Sequence, residues 1–352
     1  MRQESSVLHP PPATTPMILR SLLNPRAWLA AGLLALLPGC RPGEAVDPNV
    51  SPAEGYPRRA VTLICPWAAG GGTDRIARFV AEQLQRRLGR PVVVVNRIGG
   101  SGAAGHQAGA DAAPDGYTLT MATFELNTMH WMGISELTHR DFTPLIQLNG
   151  DAAALIVRQD APWTSVTQLI DHIRQNPRQL SMSGTSTGGA WDLARAGFLM
   201  AAGLTVDSVV WVPTQGSAPS LVELLGGHVD LVCCSVPEAA SQIEAGQLRV
   251  LAVMSRERLA EFPDLPTVLE AGIDWEAIGW RGIVLPRGVH PDIVALLQSH
   301  LQTITESPEF AEFMRLNGFA TARRGPHDFT AFLEAQDAQW RTVIEAAGYA
   351  RP

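Results

Sequence analysis

Three loops in this chain combine glycines with hydroxyl side chains directly before an expected helix. They run from Pro66 to Asp74, from Ser183 to Gly189 and from Pro213 to Pro219. Backbone amides at a helix start, together with the positive end of the helix dipole, attract an anion without a basic side chain. One such loop would be a weak signal, because Gly and Ser are ordinary loop residues. Three together predict a cleft that closes on a small, negatively charged molecule such as a carboxylate.

The first loop ends in Thr73 and Asp74, which have two interpretations. Either side chain can cap the helix that follows, or it can contact the ligand. Capping suits Asp74 better, whereas the two roles are equally consistent with Thr73.

Another chemistry is suggested by Gly100, Gly102 and Gly105, a literal GxGxxG motif between an expected strand and an expected helix. With Glu125 twenty residues after the last glycine, the pattern is typical of a dinucleotide-binding oxidoreductase. Four residues separate the strand from the first glycine, and the export signal described below argues against a nicotinamide cofactor. Close packing of a small-residue helix also explains the glycines. An exported NAD(P)-dependent oxidoreductase is therefore the alternative to a binding protein.

Composition excludes several kinds of chemistry. All 27 basic residues are Arg, so a P-loop lysine and a lysine Schiff base are impossible. The nine His residues show no zinc-ligand spacing, and Ser183 and Ser217 lack a nucleophile-elbow context. A formal net charge of -7 argues against nucleic acid as a partner. We therefore expect a protein that is not an enzyme and that has no metal, no cofactor and no catalytic residue.

Three thiols lie in the expected folded part, at Cys65 and at the adjacent pair Cys233 and Cys234. They lack a Cys-x-x-Cys pattern, so buried free thiols are expected. A disulfide from Cys65 to one of the pair stays open, but it would join two different lobes.

The elements around the loops alternate between strand and helix. The first unit is strand, helix, strand, helix, strand, at residues 60–66, 73–88, 91–95, 103–112 and 117–123. The alternation recurs at residues 153–157, 166–175, 180–183, 190–202, 209–212, 218–225 and 229–234. Two more strands follow at 249–254 and 282–285, and helices at 291–304, 308–316 and 327–347 finish the chain. Such alternation predicts two α/β lobes with parallel strands, the terminal helices packing back onto the first lobe.

The beginning of the chain predicts export. Arg20 and Arg26 precede an apolar run at residues 27–37 that is too short to span a bilayer, as in a secretory signal. The signal ends at Cys40 in a sequence that resembles a lipoprotein lipobox, with an ordinary signal peptide and an incidental Cys as the alternative. Either Met1 or Met17 fits as the start. We therefore expect a lipoprotein signal peptide at 1–39, lipidation of Cys40 and a flexible tether at 40–55.

Longer motifs resemble the receptors of tripartite tricarboxylate transporters, the Bug (Bordetella uptake gene) type. The motifs are Pro-Trp-Ala-Ala-Gly-Gly-Gly-Thr-Asp at 66–74, Leu-Gly-Arg-Pro-Val-Val-Val-Val-Asn-Arg at 88–97, Pro-Asp-Gly-Tyr-Thr-Leu at 114–119, Leu-Gly-Gly-His-Val-Asp at 225–230 and Phe-Pro-Asp-Leu-Pro-Thr-Val-Leu-Glu-Ala-Gly at 262–272. The resemblance covers nearly all of the chain after the tether.

The resemblance implies an α/β, two-lobed periplasmic-binding-protein (Venus flytrap) fold, class II-like. Lobe 1 would comprise 56–153 plus 281–352, and lobe 2 would comprise 154–280. The protein would be a monomeric extracytoplasmic receptor that captures a small di- or tricarboxylate, or a related acid, for a tripartite tricarboxylate transporter. It would work in the periplasm, anchored to the membrane by its lipid.

By the same resemblance, loop amides and hydroxyls hold the ligand. The candidate ligand-binding residues are Trp67, Ala69, Gly70, Gly71, Thr73, Asp74, Ser183, Gly184, Thr185, Thr187, Gln215, Gly216, Ser217 and Ala218. The chain departs from many relatives at Trp67, at Thr214-Gln215 and at Trp191-Asp192, which puts the usual ligand in doubt. Trp67 either narrows the pocket and offers an indole donor or simply packs. Arg281 is expected in a surface or hinge ion pair, with a place at the cleft as a carboxylate partner as the alternative.

Overall fold

A computed structural model describes Ser51 and residues 53–351. The predicted signal peptide at 1–39, the lipidated Cys40 and most of the tether lie outside the described residues. Among the described helices, none combines the length and the apolar character that crossing a bilayer requires.

The described strands form one mixed sheet. Its strands are β1 (Val61–Cys65), β2 (Val92–Asn96), β3 (Thr118–Thr123), β4 (Phe142–Arg158), β5 (Ser181–Ser183), β6 (Val210–Trp211), β7 (Leu231–Ser235), β8 (Leu248–Val253), β9 (Ile278–Pro286) and β10 (Thr321–Arg324). The order is β2-β1-β3-β9-β4-β7-β5-β6, with β8 and β10 also paired to β4. Strand β1 is parallel to both β2 and β3, which confirms the predicted βαβαβ unit.

Helices cover both halves of this sheet. They are α1 (Gly72–Leu88), α2 (Ala103–Ala110), α3 (Val166–Gln175), α4 (Ala190–Ala201), α5 (Ser217–Leu225), α6 (Ala240–Glu244), α7 (Pro291–Thr305), α8 (Pro308–Leu316) and α9 (Pro326–Ala346). Helix α1 shows why the prediction worked: Ile76, Val80 and Leu84 recur at helical spacing and are fully buried. Gly89 ends the helix with φ of +64°.

The long antiparallel pair β4 and β9 joins the two halves of the sheet. Pairing runs from Phe142 opposite Pro286 to Ala152 opposite Ile278, and the end of β4 then pairs with β7 and β8. The expected strands at 153–157 and 282–285 were too short. Pro144 and the polar Gln147 and Asn149 interrupt the apolar alternation, although register shifts accommodate them within the strand.

The described residues form two apolar cores, and the larger one includes residues of both predicted lobes, such as Phe124 and Leu231. The smaller one packs α1, α7 and α8 against β1 and its neighbours, and the larger one holds α3, α4 and β7. The expectation that the terminal helices pack on the first lobe is right for α7 and α8. Helix α9 also contacts the predicted first lobe, where Trp340 packs on Phe124 and Asn127 Nδ2 donates to Leu333 O at 2.8 Å, although its apolar residues belong to the larger core.

The thiols at Cys65, Cys233 and Cys234 are buried and unbridged, as predicted. Burial raises the pKa of Cys65 to about 12, so its reactive thiolate is scarce at neutral pH.

Candidate functional site

The first residues of α1, α4 and α5 meet at one cavity beside the two joining strands. Its lining consists of Trp67, Ala68, Gly71, Gly72, Thr73, Thr123, Phe124, Glu125, Thr185, Ala190, Trp191, Gly216, Ser217, Glu238, Gly279, Trp280 and Arg281. The cavity volume is about 30 Å³, enough for about two water molecules. An organic acid therefore enters only when the walls move apart.

At the start of α1, the carboxylate of Glu238 occupies the position in which a bound anion would accept hydrogen bonds from the helix. Its Oε1 accepts hydrogen bonds from Gly72 N at 3.3 Å, from Ser217 Oγ at 3.0 Å and from Arg281 Nη2 at 3.0 Å. Its Oε2 accepts from both the amide and the hydroxyl of Ser235 at 3.1 Å. This carboxylate thus joins the starts of α1 and α5 to strand β9.

Arg281 is the cation of this arrangement. It is only 4% exposed, and its Nη1 lies 2.7 Å from Asp151 Oδ2 while its Nε donates to Thr73 Oγ1 at 2.9 Å. The expectation of a surface ion pair was therefore wrong. Arg281 lines the cavity, as the cleft alternative predicted, and its pair with Asp151 joins β9 to β4. Burial raises the pKa of Asp151 to about 6 in spite of the nearby guanidinium.

At the start of α4, a second glutamate faces the cavity. Glu125 Oε1 accepts from Ala190 N at 2.9 Å, and its Oε2 accepts from the hydroxyl of Thr123. The residue is 2% exposed. Burial raises the pKa of its carboxyl group, because the hydrogen bonds it receives compensate its charge incompletely.

Aspartates fix the two glycine loops in the same way. Gly70 N donates to Asp74 Oδ2 and Gly188 N donates to Asp192 Oδ2, each at 2.9 Å. Asp74 therefore fixes the loop, in keeping with the capping interpretation, and it does not line the cavity. Thr73 does line the cavity and accepts from Arg281 instead of capping α1.

The wall behind Trp67 is a neutral hydrogen-bond relay. Trp67 Nε1 donates to Thr123 Oγ1 at 3.3 Å, and the amide of Thr123 donates to His106 Nε2 at 3.3 Å. His106 in turn donates from Nδ1 to Gly102 O at 2.9 Å, so it is the neutral tautomer. Burial lowers the pKa of His106 to about 4, which agrees with that assignment.

The GxGxxG glycines have a packing role. A Cβ on Gly105 would lie 2.6 Å from Pro66 Cα, so this glycine lets α2 approach the end of β1. Ser101 Oγ donates to Thr187 O at 2.6 Å and thereby links the motif to the second loop. Glu125, which would bind a ribose in the oxidoreductase interpretation, instead faces the cavity.

The cavity unites part of the predicted site. Trp67, Gly71, Thr73, Thr185, Gly216 and Ser217 line it. Outside its lining lie Ala69, Gly70, Asp74, Ser183, Gly184, Thr187, Gln215 and Ala218. Sequence reasoning missed Glu238 and did not expect Phe124 and Trp280 as walls, whereas Trp191 was already among the departures that bear on the ligand. A glutamate directly after a buried strand and Pro237 was the available signal for Glu238, but it is an ordinary capping pattern.

Comparisons with known proteins agree on the family. The sequence model of the family described as "Tripartite tricarboxylate transporter family receptor" matches residues 76–349. The chain is 30% identical to Protein BugT of Bordetella pertussis over 301 residues, which is 84% of this chain and 91% of BugT.

Two solved structures are similar to the whole folded part. One is described as periplasmic binding protein BugD, with 30% identity and a TM-score of 0.78 over 84% of this chain and 100% of that one. The other is Rpa4515 of R. palustris with adipate, with 33% identity and a TM-score of 0.78 over 84% of this chain and 99% of that one. The chain belongs to the tripartite tricarboxylate transporter receptor family, a family of periplasmic solute-binding receptors rather than enzymes, and has their two-lobed fold.

Proposed function

We propose that this member of the family captures a small organic carboxylate between its lobes and presents it to a tripartite tricarboxylate transporter. The observation that carries the proposal is the convergence of three helix starts, those of α1, α4 and α5, on one cavity beside the joining strands. The similar protein with adipate supports a carboxylate as the ligand class.

Capture requires the lobes, taken as 56–153 plus 281–352 and 154–280, to open and close about β4 and β9. Contacts that close the cleft include Ala68 N donating to Gln215 O at 3.1 Å and Ser101 Oγ donating to Thr187 O. A ligand that contacts both lobes favours the closed state by its differential affinity, and the membrane subunits recognise that state.

The remaining assignments complete the proposal. The ligand contacts come from the candidate residues that line the cavity. The protein is held at the periplasmic face of a membrane through a lipid on Cys40, as a monomer.

Thermal unfolding of the purified protein against di- and tricarboxylates, aromatic acids and amino acids tests the function. A ligand at a hundredfold excess over its Kd adds about 2.7 kcal/mol, a shift of several degrees. If no carboxylate raises the Tm, the proposal is wrong.

A matched pair of glycines locates the site. Gly71 and Gly325 both precede a helix in extended conformation, with φ of -74° and -66°. A Cβ on Gly71 would meet Ser217 Oγ at 3.3 Å, whereas around Gly325 nothing lies within 4 Å. We expect Gly71→Leu to fill the cavity and abolish ligand stabilisation while Gly325→Leu retains it. Equal stabilisation of both variants would place the site elsewhere.

A further inference from the structure

The protein's own carboxylates occupy amides that a bound acid would use. Gly72 N donates to Glu238 and Ala190 N donates to Glu125, and these are the first residues of α1 and α4. The loop amide of Gly70 is taken by Asp74. A dicarboxylate that bound at the starts of α1 and α4 would compete for these engaged donors.

The charge of the lining is also unfavourable for a dianion. Glu125 and Glu238 line the cavity, and Asp151 lies directly behind it against Arg281. Within the described part of the chain, Arg281 is the basic side chain of that lining. With one cation against three carboxylates in a region shielded from water, a second negative charge is repelled and a positive charge is attracted.

Aromatic side chains form much of the remaining wall. Trp67, Phe124, Trp191 and Trp280 all line the cavity, and each is less than 10% exposed. The faces of such rings attract an ammonium group, most strongly for Trp, when water is excluded. Toward an anion they offer N–H donors only, and Trp280 Nε1, which has no hydrogen-bond partner among the described residues, can donate to one carboxylate.

The two glutamates differ in what they can still bind. Glu238 accepts five hydrogen bonds, one of them from Arg281, so its charge is compensated. Glu125 accepts one hydrogen bond at each oxygen, from the uncharged donors Ala190 N and Thr123 Oγ1. A carboxylate has about four acceptor sites, so Glu125 keeps capacity for a charged donor in the cavity.

We propose that the ligand carries an ammonium group, which pairs with Glu125 against the aromatic wall, and at most one carboxylate. Glu125 is then the residue that selects such a zwitterionic or cationic solute over a dicarboxylate. This inference rests on the proposed receptor function and narrows its ligand class.

The environment of Glu125 agrees with this assignment. Burial raises the pKa of its carboxyl group, which means that the charged form lacks compensation in the ligand-free protein. A ligand ammonium supplies the missing charge.

Matched linear ligands separate the two charge preferences. The series joins two end groups by two, three or four methylenes: succinate, glutarate and adipate carry two carboxylates. In 3-aminopropanoate, 4-aminobutyrate and 5-aminopentanoate one carboxylate is replaced by an ammonium, and in 1,2-diaminoethane, 1,3-diaminopropane and 1,4-diaminobutane both are. Calorimetric titration of the full-length protein gives a Kd for each. We expect an amino acid of the series to bind at least tenfold more tightly than the diacid of equal spacer.

Glu125→Gln tests the residue itself. Glutamine can still accept from Ala190 N and donate to Thr123 Oγ1, so the fold is retained while the charge is lost. The variant should weaken amino acid binding at least tenfold, about 1.4 kcal/mol, and should not weaken diacid binding. Glu244→Gln, on an exposed turn of α6, is the control and should change neither Kd.

Each outcome separates this inference from the proposed function. If the diacids bind as tightly as the amino acids of equal spacer, the inference is wrong, while the proposed function as a carboxylate receptor is retained. Binding of diamines alone would support the ammonium preference and reject the carboxylate. Failure of every ammonium-bearing member to bind would overturn the inference, and an unchanged preference in Glu125→Gln would remove Glu125 as its cause.

Discussion

The starts of α1 and α4 are built alike in the two halves of the molecule. Each follows a loop whose glycine, two residues before the helix, is left-handed, with φ of +85° at Gly70 and +75° at Gly188. In each, an aspartate of the first turn, Asp74 or Asp192, accepts from that glycine's amide. Each helix also donates its first amide to a glutamate from elsewhere in the chain.

The difference lies in the cations. At α1 the glutamate has Arg281, and Asp74 pairs with Arg78, whose side chain is 54% exposed. At α4 the cation lies only behind the loop, where Asp192 pairs with the fully buried Arg195. The same backbone arrangement thus has a glutamate paired with a cation at the start of α1. At the start of α4 it has a glutamate without a cation, and that glutamate faces the cavity. Helix starts thus provide amides that can bind a charged group, while side chains distant in sequence determine the sign of the charge that is favoured there.

The largest effect should come from removing the cation at α1. Arg281→Ala leaves Asp151 and Glu238 buried and uncompensated, which should lower the free energy of unfolding by about 3–5 kcal/mol. Urea unfolding measures it. The control Arg315→Ala breaks an exposed pair with Glu312 and should leave the free energy of unfolding almost unchanged, because solvent screens such pairs. Similar losses in both variants would mean that Arg281 is no more than an ordinary ion-pair partner.

Matched aspartate substitutions compare the two loops directly. Asp192→Asn leaves Arg195 buried without its partner and should cost about 3 kcal/mol. Asp74→Asn keeps an acceptor for Gly70 N while Arg78 turns to solvent, so about 1 kcal/mol is expected. Urea unfolding of both variants under one condition gives the difference. A loss at Asp74 as large as that at Asp192 would contradict the contrast in cation burial.

Local sequence patterns predicted the loops. They could not predict which charged side chains from distant parts of the sequence come together at the cavity. The run Gly70-Gly71-Gly72 before an apolar helix identifies a helix start, because glycine freedom and 3.6-residue periodicity are local properties. Glu125, Glu238 and Arg281 come together only through strand order and the register that places Asn149 opposite Arg281. A charged residue inside the apolar run 278–286 was the sequence signal that Arg281 has buried partners. It could not name them.

The glycines at the two loops should differ in the same direction. The Cβ of an alanine at Gly70 would meet open space, so only the left-handed backbone conformation should lower the free energy of unfolding, by about 1–2 kcal/mol. Alanine at Gly188 would also place its Cβ 2.7 Å from Met132 Sδ, which should raise the loss by about 1 kcal/mol. Thermal unfolding of Gly70→Ala and Gly188→Ala gives the ranking. Equal losses would show that Met132 moves away freely and that the α4 loop is no tighter than the α1 loop.

The smallest effect concerns the dependence of stability on pH at the α1 end. Asp151 has a pKa of about 6 in the folded protein, above the ordinary value of about 3.9, so the folded state binds more protons between these limits. Its contribution to stability is fully present below the ordinary value and is lost as pH rises through about 6. His106, with a folded pKa of about 4, acts in the opposite direction, since its contribution is present above about 6.5 and lost as pH falls.

Because the two contributions oppose each other, the profile of the parent protein alone hides the effect of Asp151. The informative quantity is the difference in Tm between the parent and Asp151→Asn, which keeps the side-chain size. From pH 4 to pH 7 the Tm of the parent should fall by a few degrees relative to the Tm of Asp151→Asn. The exposed Asp171→Asn on α3 should show a constant difference. If the Asp151→Asn difference is constant as well, Arg281 keeps Asp151 ionised throughout and the α1 end is even better compensated than its burial indicates.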